Sequence, residues 1–175
     1  MINEMEDSST MSLQQVNERP LVLGVITVSD TRTAETDKGG DTVVRLAEAD
    51  DHIVKVRTLL PDDALKLIEV MNRWIAVEDL DAIILTGGTG IAKRDVTIEA
   101  VGDIIEKEIP GFGEIFRYLS FTEDIGTKAL ASRAIAGVAN NVLIFALPGS
   151  VGAVTLGMNR LILPEIKHLV FEVNK

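Results

Sequence analysis

Three glycines fall within five residues at Thr86-Gly87-Gly88-Thr89-Gly90. Glycine frees the backbone to turn sharply and expose its N–H groups. A nest of such donors suits phosphate oxygens. The loop lacks the Gly-x-x-x-x-Gly-Lys pattern and the dinucleotide pattern Gly-x-Gly-x-x-Gly. Glycines at this spacing also serve a tight strand-to-helix turn with no ligand. Asp95 follows Gly90 by five residues, after Lys93-Arg94. A carboxylate so close to a phosphate makes sense if Mg²⁺ bridges the two, because Mg²⁺ takes one or two carboxylates plus phosphate oxygens. The alternative is a helix-start aspartate favoured by the helix dipole. Asp62 has the same ambiguity, as a helix cap or a metal-facing acid. Arg94 either neutralises phosphate or is simply solvated. Arg133, after Ser132, matches a phosphate or carboxylate bidentately, or is a surface arginine. Gly111-Phe112-Gly113-Glu114 breaks a helix and leaves Glu114 either facing a ligand or solvated.

These residues need elements to bring them together. Leu21 to Val28 is a near-continuous apolar run and reads as a strand buried on both faces of a parallel sheet. A polar stretch from Ser29 ends in Lys38-Gly39-Gly40-Asp41, and a helix runs from there to Ala49. Ile53 to Leu60 alternates and reads as a second strand. Pro61-Asp62-Asp63 breaks it and starts a helix. That helix carries Ala64, Ile68, Met71 and Ile75 as one apolar stripe, with Trp74 one position off it, at the core edge or a subunit contact. Asp81 to Leu85 is a third strand. Thr97 is a candidate helix N-cap, Pro110 to Gly113 stops that helix, and Glu114 to Leu119 forms a short one. Phe121 to Lys128 is a loop or helix entry. Ala134 to Val138 and Val142 to Leu147 flank Asn140-Asn141 as a hairpin. Helix follows from about Val151, reset near Pro164, to the C-terminus. His52 is expected to be exposed, and His168 needs no role.

Strand and helix alternate, so the expected class is α/β: three layers, a mostly parallel sheet with helices on both faces, and an antiparallel hairpin near the C-terminal end. Ligands of such sheets bind beyond the carboxyl ends of the strands. Ser29-Asp30, Asp62, Thr86 to Gly90 and Pro148-Gly149-Ser150 all follow strands, so all four clusters share one rim.

The chain of 175 residues suffices for one domain. Residues 1–19 are polar without periodicity and read as a flexible tail. Residues 20–175 read as the single domain. The net charge of −10 argues against nucleic-acid or anionic-membrane binding. There is no cysteine, so disulfides and thiolate metal sites are excluded. No run reaches the ~18 to 20 apolar residues of a membrane span, and Met1 to Pro20 lacks an apolar signal core. A cytoplasmic protein is the expectation.

Taken in order, Val28-Ser29-Asp30-Thr31-Arg32, Pro61-Asp62, Thr86 to Gly90, Arg94 to Ala100, Pro110 to Glu114, Ser132-Arg133 and Leu147-Pro148-Gly149-Ser150 closely resemble the MoaB/MogA family of molybdenum cofactor biosynthesis proteins. That family includes the gephyrin G domain. The resemblance covers roughly residues 20–173, and Arg117-Tyr118-Leu119-Ser120 and Ala134 to Gly137 are similar to its MoaB branch. It implies transfer of AMP from MgATP to molybdopterin, with release of pyrophosphate. ATP with Mg²⁺ is then the co-substrate, and molybdopterin is the substrate rather than a permanent cofactor. It implies catalytic roles for Asp62 and Asp95, with Asp95 toward Mg²⁺. Substrate contacts fall to Ser29, Asp30, Thr86, Gly87, Gly88, Thr89, Gly90, Arg94, Gly111, Glu114, Ser132, Arg133, Pro148, Gly149 and Ser150. It also implies a homo-trimer or hexamer, and contacts with other molybdenum cofactor enzymes. Two departures stand out. Val151-Gly152 replaces a frequent Pro-Lys, and Thr31 interrupts the frequent Ser-Asp-Arg, moving the arginine to Arg32. A molybdopterin carrier or scaffold without efficient adenylylation is the alternative the MoaB branch leaves open. A nucleotide-processing hydrolase is a further one.

Overall fold

The computed structural model describes residues 11–175. Half of the expected tail, residues 1–10, lies outside the described residues. Of the rest, Leu13–Glu18 forms a helix, α1, with Ser12 and Gln15 in a reciprocal capping box. Its Val16 is buried against the C-terminal helix region. Arg19 then grips Asp81 with both terminal nitrogens, at 2.8 and 2.6 Å. Residues 13–19 therefore pack against the body of the domain.

The elements run β1 Val22–Val28, α2 Lys38–Ala49, β2 Ile53–Leu60, α3 Ala64–Val77, β3 Ala82–Thr86, α4 Thr97–Ile104, β4 Lys107–Glu108 and α5 Pro110–Leu119. A π-turn segment Ser120–Asp124 and a 3-10 segment Gly126–Ala131 follow. Then come β5 Ile135–Ala139, β6 Val142–Leu147, α6 Val151–Gly157, a π-turn Met158–Ile162 and α7 Leu163–Val173. The sheet order is β2-β1-β3-β6-β5-β4. The strands β2, β1, β3 and β6 pair in parallel, and β5 and β4 add antiparallel pairings at one edge.

The central strands alternate their side chains between two apolar layers. Leu23, Val25, Ala82, Ile84, Leu143 and Phe145 face one core with α1, α2, α5, α6 and α7. Ile26, Val28, Ile83, Leu85 and Ile144 face the other, with α3 and α4. The strands are thus buried on both faces, which is why they read as continuous apolar runs. The structure confirms the three-layer α/β class.

Several local expectations change. The buried stripe of α3 is Leu67, Met71 and Trp74, so Trp74 is core; Ala64, Ile68 and Ile75 pack at its margin. Pro110 to Gly113 does not stop a helix but begins one, with Pro110 in the first turn, where its missing N–H costs nothing. His52 is buried rather than exposed, and its Nδ1 accepts from the Leu21 N–H at 3.3 Å. The strand β4 has only two residues, too short to show periodicity in the sequence.

Candidate functional site

The carboxyl ends of β1, β2, β3 and β6 meet around one cavity of about 390 Å³. It sits where β1 leads to β2 on one side and has β3 on the other, the crevice position that open α/β sheets use for ligands. Its size falls within the range of small-molecule sites. Of the expected residues, Ser29, Asp30, Asp62, Gly87, Gly88, Thr89, Gly90, Arg94, Asp95, Ser132, Pro148, Gly149 and Ser150 line it. Thr86 stands just behind, its hydroxyl donating to the Pro148 carbonyl at 3.3 Å. Gly111 and Glu114 are not in the lining; Glu114 is an exposed residue of α5. Arg133 is also absent from the lining, for a reason given below.

The loop conformation explains its glycines. Gly87 and Gly88 have φ of 94° and 64°, in the left-handed region. A Cβ on Gly87 would stand 2.2 Å from the Val28 carbonyl oxygen, and one on Gly88 2.4 Å from Thr97 Oγ1. Thr97 is not the N-cap of α4; its hydroxyl donates to the Gly87 carbonyl at 2.8 Å and its N–H to the Gly88 carbonyl at 3.0 Å. The N–H groups of Gly88, Thr89, Gly90 and Ile91 find no acceptor among the described residues. Gly88, Thr89 and Gly90 line the cavity, with Ile91 just outside it, and adjacent free donors of this kind suit an anion.

Arg133 holds this loop from outside the cavity. Its Nε donates to the carbonyls of Thr89 and Gly90 at 3.0 and 3.1 Å, and its Nη2 to Gly90 again at 2.7 Å. Glu99 accepts from the far edge of the guanidinium at 2.5 and 3.3 Å. That bond from Arg133 pulls the Glu99 pKa below the carboxylate range. These bonds commit four of the five N–H donors of Arg133 to the loop and Glu99, outside the cavity lining.

Three carboxylates face the cavity. The N–H of Asp62 donates to Asp30 Oδ1 at 3.0 Å. Asp62 Oδ1 is buried with no hydrogen-bond partner among the described residues. Burial raises the Asp62 pKa, and the charges of Asp30 and Asp95 raise it further. The helix cap of α3 is Asp63, which accepts from Leu65 and Lys66 N–H at 3.1 and 3.2 Å, so Asp62 is free of that duty. Asp95 Oδ2 accepts from the Ala92 N–H at 3.0 Å and closes the turn before α4. No three His, Asp or Glu side chains make a complete metal site among the described residues. An orphaned carboxylate oxygen beside a second acid nevertheless suits Mg²⁺ that brings phosphate oxygens with it. The lining holds three carboxylates against two guanidiniums, Arg32 and Arg94, and is net negative.

Sequence reasoning missed a buried ion pair behind the β1 end. Asp37 caps α2 through the Gly40 N–H at 2.9 Å and accepts from Thr27 Oγ1 at 2.6 Å and Arg57 Nη2 at 2.8 Å. Burial opposes its charge, but these three bonds outweigh it and lower its pKa. Arg32, whose Nη1 lies 4.0 Å from Asp37, donates through Nη2 to the Gly149 carbonyl at 2.9 Å. This joins the β1 loop to the β6 loop across the cavity. The only signal was an aspartate before Gly39-Gly40 at a helix start. Ser29 and Ser150 are likewise committed locally. Ser29 Oγ accepts from Thr31 and Arg32 N–H at 3.2 and 3.1 Å, and Ser150 Oγ from Ala153 N–H at 3.1 Å.

A family model described as "Probable molybdopterin binding domain" matches residues 24–168, most of this cavity's scaffold. The chain belongs to the MoaB/MogA family. It is 54% identical over 159 residues to Molybdenum cofactor biosynthesis protein B of Staphylococcus aureus (strain COL), covering 90% of this chain and 94% of that one. It is similar to the crystal structure of a Molybdenum cofactor biosynthesis protein B, with a TM-score of 0.86 and 46% identity over 89% of this chain and 96% of that one. The tungsten cofactor synthesizing protein MoaB from Pyrococcus furiosus superposes with a TM-score of 0.80 at 32% identity, over 89% of this chain and 98% of that one. Family membership thus rests on sequence and on superposition of the fold. Among the described residues no helix is long and apolar enough to cross a membrane.

Proposed function

We propose that this MoaB/MogA family member works in molybdenum cofactor biosynthesis, binding molybdopterin at the 86–90 rim and transferring AMP to it from MgATP. The carrying observation is the row of free N–H donors of the lining residues Gly88, Thr89 and Gly90 beside the orphaned Asp62 oxygen. Donors for phosphate and acids for a phosphate-bound cation stand at one wall. In the proposed reaction an oxygen of the pterin's terminal phosphate attacks the α-phosphorus of ATP. A new P–O bond forms, the bond from the α-phosphorus to the bridging oxygen breaks, and pyrophosphate leaves. Positioning and charge neutralisation supply the rate in such transfers. Asp62 and Asp95 are the residues to hold Mg²⁺, whose role is to neutralise phosphate charge. Ser132 and Arg94 border the remaining space for the pterin.

The carrier reading has one observation in its favour. No lysine lines the cavity, and Val151-Gly152 stands where a Pro-Lys is frequent in the family. Pyrophosphate release with MgATP, with and without molybdopterin, separates the two. Release only when both are present supports transfer. Tight molybdopterin binding with no release supports a carrier, and release without molybdopterin supports nucleotide hydrolysis.

The assembly proposed is a homo-trimer or hexamer. Ile115, Tyr118, Phe121, Ile125 and Leu130 are exposed along one stretch of chain, and Leu130 keeps 91% of its surface open. An apolar area of this kind suits a second copy.

A further inference from the structure

We infer that Glu99 and Arg133 act as a clamp that aims the free N–H groups of the glycine loop while touching no ligand. The inference rests on the reading of that loop as a phosphate cradle. Thr97 and the Leu147 carbonyl hold Gly87 and Gly88, but at the far end of the loop the carbonyls of Thr89 and Gly90 have no partner among the described residues except Arg133. Arg133 supplies the missing constraint from the segment just before β5, and Glu99 from the first turn of α4.

The geometry follows from the peptide plane. In a trans peptide the carbonyl of one residue and the N–H of the next point in opposite directions, and the described chain has no cis bonds. Arg133 draws the Thr89 and Gly90 carbonyls toward itself. The N–H groups of Gly90 and Ile91 must therefore point away from it. Gly90 lines the cavity and Arg133 does not. The guanidinium is planar, so fixing its far edge on Glu99 fixes its near edge on the loop. Its charge also polarises both peptide units, which strengthens their N–H groups as donors. Glu99 balances that charge, so that Arg133 stays behind the loop instead of swinging toward an anion. Both are positioning residues. Lysine keeps the charge of Arg133 but gathers its donors at one nitrogen and lacks the planar fork that spans two carbonyls and a carboxylate.

The test uses the whole chain. Binding of inorganic pyrophosphate and of MgATP is measured by calorimetry, and the amide signals of residues 88–91 by NMR, in wild type, Arg133→Lys and Glu99→Gln. Arg133→Lys is expected to weaken both ligands about 10-fold, and to shift and broaden the Gly90 and Ile91 amides. Glu99→Gln is expected to produce the same pattern at a few-fold weakening. Thermal midpoints, read alongside, should not track the affinity loss. Unchanged amides overturn the inference in either case: with binding kept, Arg133 does nothing for the loop, and with binding lost it is a direct ligand. If wild type binds neither probe, the proposed function fails instead, and the amides of Arg133→Lys still decide whether the clamp exists.

Discussion

Asp62 carries a buried oxygen without a partner, next to Asp30 and Asp95. Its raised pKa means that the folded chain holds this proton more tightly than the unfolded one. That contribution to stability is present at low pH and is lost as pH rises through the folded value. Ionised Asp62 therefore weighs against the fold at neutral pH. Asp62→Asn should raise the melting midpoint by about 2–4 °C at neutral pH, with the gain shrinking on acidification, while AMP transfer is lost. Melts at two pH values and the pyrophosphate assay check both halves. Asp95 differs because its carboxylate also closes a turn. Asp95→Asn keeps an acceptor for the Ala92 N–H and removes only the charge. It should abolish transfer with a near-native melt, whereas Asp95→Ala should lose stability as well, by roughly 1 kcal/mol. A transfer rate equal to wild type in Asp95→Asn would remove Asp95 from the mechanism.

The elements decide which residues face the cavity, and here the sequence was readable in part. The strands β1, β3 and β6 were visible because burial on two faces writes an unbroken apolar run, and the edge strand β2 was visible by its alternation. The rim followed from strand ends alone. Glu114 and Arg133 were harder. The Pro110-Gly111 pair reads equally as a helix stop or a first turn, and the second choice turns Glu114 outward. Arg133 looked like an anion ligand because its partners, Thr89, Gly90 and Glu99, lie over 30 residues away in the chain. Asp37 escaped notice for the same reason, since Arg57 sits 20 residues on. The glycine loop itself allows a sharp prediction. Gly87→Ala meets both a positive φ and the Val28 carbonyl, so it should cost at least roughly 2 kcal/mol. Chemical denaturation measures this. A midpoint within error of wild type would mean that the loop is looser than described.

For the molecule as a whole, acid and assembly are the two levers. Burial lowers the His52 pKa, against the smaller opposing pull of Asp50. The unfolded chain then takes up this proton first, so stability is lost as pH falls below about 6.5. Asp37, also lowered, removes more stability once pH passes below the carboxylate range. Denaturation midpoints should fall in these two stages, and His52→Gln should flatten the first. On assembly, Leu130→Glu should shift the sedimenting species toward monomer and leave the fold intact. An unchanged sedimentation profile would place the subunit contact elsewhere.

The strand order has a last consequence, one of timing. The β5–β6 hairpin turns through Asn140 and Asn141 and closes with almost no loop to order. The pairing of β3 with β6 must instead bring Ala82 to Leu143, and β1 must wait for partners on both sides. Such long-range parallel pairings are slow to form. The cavity exists only once all four parallel strand ends are side by side. A ligand of the proposed kind would therefore recognise only a chain whose folding is complete, and its binding would withdraw that chain from the unfolding equilibrium. Cells short of the ligand would hold this protein with a shorter lifetime.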